Sequence, residues 1–154
     1  MRPSLSVLSV PLSTAALILL AACGGGDGGP MDPGGDPGGS NGETRTVKAD
    51  PSFANDIWEI LTRRGCSSGT CHGGGQGDLT MTSASGAYAA LVDVTSMASG
   101  ETLVIPGNAD DSYLVKKLED RQSVGARMPL NGAALDNTDL SNIRNWISQG
   151  AKNN

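Results

Sequence analysis

Cys66-Ser67-Ser68-Gly69-Thr70-Cys71-His72 holds two of the chain's three cysteines and its single histidine. Two thiols followed at once by an imidazole form the arrangement that covalent haem attachment needs. Each sulfur adds to one vinyl group of the porphyrin, and the adjacent histidine binds the iron. The usual spacing is C-x-x-C-H, whereas here four residues separate the thiols. Other chemistries compete for the same residues. The pair could close a small loop as a disulfide in an exported protein. Two sulfurs and a nitrogen could begin a zinc site, but a structural site wants a fourth ligand, and a carboxylate from elsewhere would have to serve. The thiols could also be free and incidental.

Upstream, Asp50-Pro51 reads as an N-cap followed by proline at the first helical position. Phe53, Ile57, Ile60 and Leu61 then recur on one face of a helix. Arg63 and Arg64 fall in its last turn, where cations suit the dipole, and Gly65 can end it. This helix delivers the chain directly to Cys66. After His72 comes Gly73-Gly74-Gly75-Gln76-Gly77, which is either a loose loop or a backbone able to pass close to a flat ligand edge.

Farther along, Ala84 to Val92 reads as a short helix with Tyr88, Leu91 and Val92 inward. A loop follows from Asp93 to Thr102, and Pro106-Gly107 marks a turn. Asp110 or Asp111 is the expected cap of a helix running to about Glu119. Tyr113, Leu114 and Leu118 lie on its apolar side, with Lys116 and Lys117 solvated on the other. The irregular stretch from Arg121 to Ala134 carries Arg127-Met128-Pro129. Met128 lies 56 residues beyond His72, and its thioether is a soft ligand that would complete the Met/His axial pair of electron-carrying haem proteins. The competing reading is a packing methionine. Met81 lies too close to His72 to be a comfortable rival, so Met97, in a polar loop, is the more serious one. Arg127 would pair with a haem propionate or simply be solvated. The chain closes with a helix capped by Asp136, with Asp139 three residues on and Leu135 and Leu140 as a hydrophobic staple. Leu140, Ile143, Ile147 and Gly150 keep helical spacing beside Trp146. The two terminal helices would bury their stripes most economically against each other.

The 154 residues amount to one modest domain plus extras. Aromatics make up only 3%, which leaves little to fill a core and suits a buried macrocycle. A formal net charge of −5 argues against nucleic acid, since there is no basic patch to neutralise phosphates.

Residues 1–22 read as an export signal, with an apolar run from Leu12 to Ala22 too short to span a bilayer. The run ends Leu20-Ala21-Ala22-Cys23, which resembles the lipobox of bacterial lipoproteins. By that resemblance Cys23 becomes a lipidated N-terminus, stably anchored because it carries several acyl chains. Gly24 in place of an aspartate leans towards the outer membrane. Residues 23–46 are rich in Gly, Asp and Pro, with Asp-Pro-Gly-Gly repeated at 32–35 and 36–39, and form a flexible tether.

Residues 47–154 resemble a small mono-haem cytochrome c of the bacterial envelope type. The likeness rests on Cys66 to Gly73, on Ala87-Tyr88-Ala89-Ala90-Leu91, on Val104-Ile105-Pro106-Gly107 with Ser112-Tyr113-Leu114-Val115, and on Arg127-Met128-Pro129 followed by residues 143–151. The resemblance implies an all-α fold around one covalent haem c. Cys66 and Cys71 would be the thioether anchors, and His72 and Met128 the axial ligands. It further implies an electron carrier and no substrate chemistry. The protein would exchange electrons with envelope redox partner proteins while held to the membrane by lipid, facing the periplasm or the cell surface. The alternative is a non-redox envelope interaction module stapled by a Cys66–Cys71 disulfide.

Overall fold

The computed structural model describes residues 45–154; the stretch read as an export signal, Cys23 and the expected tether up to residue 44 lie outside them. The domain is helical. A π-helical turn (Phe53–Ile57) runs straight into α1 (Trp58–Arg63), followed by α2 (Ala84–Leu91), α3 (Tyr113–Leu118) and α4 (Asn137–Ser148). Short 3-10 turns lie at His72–Gly74 and Gln76–Asp78. Among the described residues, extended structure is limited to isolated bridges, such as Val92 with Val104 and Thr95 with Thr102.

The first helix begins later than Asp50-Pro51 suggests. Ser52 is its cap: Ser52 Oγ accepts from Asn55 N (3.2 Å), while Asp56 Oδ2 accepts from Ser52 N (2.8 Å). This is a capping box stretched by one residue, because the wider π turn brings the fourth residue back over the cap. The free N–H groups of Phe53 and Ala54 are satisfied by the side chain and backbone carbonyl of Asn154, at 3.0 and 2.8 Å. Asp50, freed from capping, meets Lys152 Nζ at 3.3 Å.

Phe53, Ile57, Ile60 and Leu61 are all buried, as their spacing predicts. The π turn is the packing hub, contacted by both α2 and α4, while α3 lies against α4. At that hub Phe53 meets Tyr88 edge-on (5.2 Å between centroids) and Trp146 at a tilt (5.0 Å). Tyr88 OH donates to Ala151 O (2.8 Å), and Trp146 Nε1 donates to Lys152 O (2.9 Å), so both aromatics bury their rings without stranding a polar atom. Scarcity of aromatics therefore does not leave this core empty. Three of the five are concentrated at one crossing, surrounded by Leu91, Val104, Val115, Ile143 and Ile147.

Helices α1 and α4 end alike. Gly65 (φ 76°) and Gly150 (φ 98°) are left-handed. Cys66 N donates to Leu61 O and Gly65 N to Thr62 O; Ala151 N donates to Trp146 O and Gly150 N to Ile147 O. These are paired Schellman closures, which satisfy the last carbonyls of each helix. Gly150 thus terminates α4 and stays exposed instead of extending its apolar stripe. Helix α3 also departs from expectation. Ser112 precedes it, with Ser112 Oγ donating to Asn108 O (2.7 Å) and accepting from Ile105 N (2.9 Å). Asp111 binds Asn108, and Asp110 pairs with Arg144. Val115 is the fully buried residue of α3 and Leu114 is only half-buried.

Candidate functional site: the thiol–imidazole loop

The Schellman closure of α1 delivers Cys66 directly after the left-handed Gly65. From there the loop turns back on itself: Cys71 N donates to Ser68 O (2.9 Å), His72 N to Cys66 O (3.0 Å) and Gly73 N to Ser68 O (3.0 Å). Cys66, Cys71 and His72 thus all belong to one small loop closed by its own backbone. The glycines after His72 have a reason of their own. A Cβ on Gly73 would stand 2.1 Å from Ser67 O, and one on Gly74 2.1 Å from Gly69 O. The close approach is between the loop's two limbs, which accounts for Gly73 and Gly74 without any ligand.

Cys66 and Cys71 are free thiols, both half-buried. Burial pushes the Cys66 thiol up to about 11, and neighbouring Cys71 adds to the rise. Cys66 is therefore neutral and weakly nucleophilic near pH 7. His72 Nδ1 lies 2.7 Å from the backbone carbonyl of Gln76. A carbonyl only accepts, so Nδ1 carries the proton, and in the neutral ring the lone pair sits on Nε2. Fixing one ring nitrogen in this way is how proteins orient an imidazole that ligates through the other. His72 O in turn accepts from Met81 N (2.8 Å), tying the loop to a methionine that is buried in the core.

Met128 comes from a different part of the chain. It is half-buried and, like Cys66, packs against the hydrophobic core. Its N–H donates to Lys117 O at the end of α3 (2.8 Å). Lys117 Nζ reaches the same loop, donating to Val124 O (3.2 Å) and Ala126 O (2.5 Å). Lys117 is thus a brace, not the idle solvated lysine that its helical position suggests. Arg127 Nη2 donates to Gly132 O (2.8 Å) and so also holds this loop. Met97, the rival sulfur, is 83% exposed and turned to solvent.

Two supports were invisible in the sequence. The Gln76 carbonyl is backbone, and no side-chain type announces it. Asp139, read as half of a capping motif, is 1% exposed and binds guanidinium groups instead: Arg63 Nη2 and Arg64 Nε both donate to it at 2.7 Å. The only local hint was two arginines beside Cys66.

The described residues offer two unpaired thiols, an imidazole held through Nδ1 and a half-buried thioether on a braced loop, the residue types that attachment and ligation of a haem c would use. Among the described residues no group of three or more His, Cys, Asp or Glu side chains is gathered to hold a metal ion. Among the same residues no helix is long and apolar enough to cross a membrane. Comparison of this chain with known protein families, curated proteins and solved structures finds no match.

Proposed function

We propose that this protein is a lipid-tethered electron carrier of the bacterial envelope that holds one covalent haem c. Cys66 and Cys71 would anchor the group by thioether bonds, and His72, through Nε2, and Met128, through its sulfur, would be the iron ligands. When bound, the haem iron supplies a one-electron couple, raised in potential by Met/His ligation. The observation that carries the reading is the hydrogen bond from His72 Nδ1 to the Gln76 carbonyl, which presets tautomer and ring orientation before any ligand arrives. The closed loop carries both thiols and that ring on one short stretch of backbone, and the high thiol pKa of Cys66 keeps it unreactive until it is engaged. Lys117 holds the Met128 loop to α3, limiting the reorganisation that a change of iron charge would otherwise demand. Envelope redox proteins are the expected partners, through small and transient contacts. Cys23 would carry the lipid, with the outer membrane as its destination.

The test is production of the full chain in a host that attaches haem c. A Soret band that survives acid–acetone extraction, with an intact mass of polypeptide plus one haem, is the expected result. Bare polypeptide carrying a Cys66–Cys71 disulfide overturns the proposal in favour of an interaction module. In the loaded protein, Met128→Ala should abolish the sulfur-to-iron charge-transfer absorption, whereas Met97→Ala should leave it intact.

A further inference from the structure

The chain just before the domain is not simply a lead-in. Asn142, buried on α4, grips its backbone from both sides: Asn142 Nδ2 donates to Thr46 O (3.0 Å) and Lys48 N donates to Asn142 Oδ1 (2.7 Å). Asn145 Nδ2 adds a bond to Lys48 O (2.7 Å). The segment 45–48 is thereby strapped along α4, and it brings Arg45 to the end of that helix where Asp136 and Asp139 lie. Arg45 Nη1 meets Asp136 Oδ2 at 2.6 Å and Asp139 Oδ1 at 3.1 Å. The same carboxylates receive the end of α1. Arg64 Nη2 meets Asp136 Oδ2 at 2.5 Å, and Arg63 and Arg64 both meet Asp139 at 2.7 Å.

Two carboxylates therefore join three chain segments: the tether end, the start of α4, and the last residues before Gly65-Cys66. Cys66 O receives the His72 N–H, so the root of α1 is also the root of the imidazole's loop. A carboxylate that is 1% exposed is costly to bury unless its partners are charged and well aimed, and guanidinium groups on three sides meet that condition. Such an arrangement holds one geometry and resists others.

We infer that Asp139 is a positioning residue for the thiol–imidazole loop, coupling the seated tether end to that loop through Arg45, Arg63 and Arg64. The inference deepens the proposed function, since it takes the loop as the site, but it concerns the polypeptide and is readable whether or not haem is attached. Release of residues 45–48 then reaches His72 through the end of α1.

Hydrogen exchange of the full chain tests this, read at the backbone amides of residues 46–48 and 66–73 and at the His72 Nδ1 proton. Asp139→Asn should speed exchange at both backbone segments by about tenfold and at the Nδ1 proton as well, while Glu101→Gln, which breaks the pair with Lys116, changes none of them. Acceleration confined to the first turn of α4, with the Nδ1 proton unmoved, makes Asp139 a helix cap alone and overturns the inference. Should Asp139→Asn fail to fold, Arg45→Gln carries the same reading from the exposed side. A rise of about threefold at residues 66–73 supports the coupling, and no rise sinks it. A chain that never takes up haem yet gives these shifts refutes the proposed function and leaves the coupling standing.

Discussion

Two loops supply the candidate ligands, and their candidate side chains are held by partners at different range. The loop from Cys66 to Asp78 is closed by its own backbone: Cys66, Ser68 and Cys71 carbonyls accept N–H groups from His72, Gly73 and Gly74, and the imidazole leans on Gln76, four residues away. The loop that bears Met128 is braced from outside. Its fixed points are the Lys117 backbone and ammonium, on another helix. The lesson concerns cost. The rest of the fold reaches the histidine at the root of its loop, through the end of α1, whereas a methionine placed by a neighbouring helix is held by that helix directly.

Breaking the first loop should cost most. Gly73→Ala drives a Cβ into the Ser67 carbonyl at 2.1 Å, backbone against backbone, where neither side can step aside. The expected loss is about 3 kcal/mol, measured by urea unfolding. An unchanged midpoint would mean that the two limbs do not approach as described.

Acid separates the two loops next. Burial works against the charge on Asp136, but the hydrogen bond from Asp139 N and the Arg45 guanidinium outweigh it and hold the carboxyl below its usual range. A depressed carboxylate stabilises the fold above its unfolded pKa and loses that contribution as pH falls through the folded value. Thermal stability should therefore hold from pH 7 down to about 4 and decline below it. Asp136→Asn should flatten that decline. The early loss should centre on the root of the first loop, since Asp136 binds Arg64 there.

Lys117→Met is a milder change aimed at the second loop. It removes the ammonium bonds to Val124 O and Ala126 O and should cost about 1 kcal/mol. Exchange should quicken across residues 124–128 and stay unchanged at residues 66–73. Equal acceleration of both loops would erase the contrast drawn here. Smallest of all, Met97→Leu on an 83% exposed side chain should leave stability within about 0.5 kcal/mol.

Legibility followed the range of the interaction. The apolar stripe of the first helix, the stop at Gly65 and the Asp136 cap are relations between residues a few positions apart, and they are legible directly. The start of the first helix is hidden because a π turn shifts the cap by two residues, from Asp50 to Ser52. The role of Lys117 is hidden because a lysine opposite an apolar stripe looks solvated until a loop folds over it. Asp139 looked like a capping residue because its arginines lie 75 and 76 positions away.

By itself the sequence determined the local grammar: helices where apolar periodicity and caps agree, stops where glycine can turn left-handed, and two thiols delivered beside one imidazole. Only the tertiary structure decided which carbonyl orients His72, which methionine turns towards the core and which carboxylate is buried among guanidinium groups. The reason is physical. Backbone preference and periodicity act over one or two turns, whereas partners for a carbonyl, a thioether or a buried charge are chosen by whatever the folded chain brings within about 3 Å.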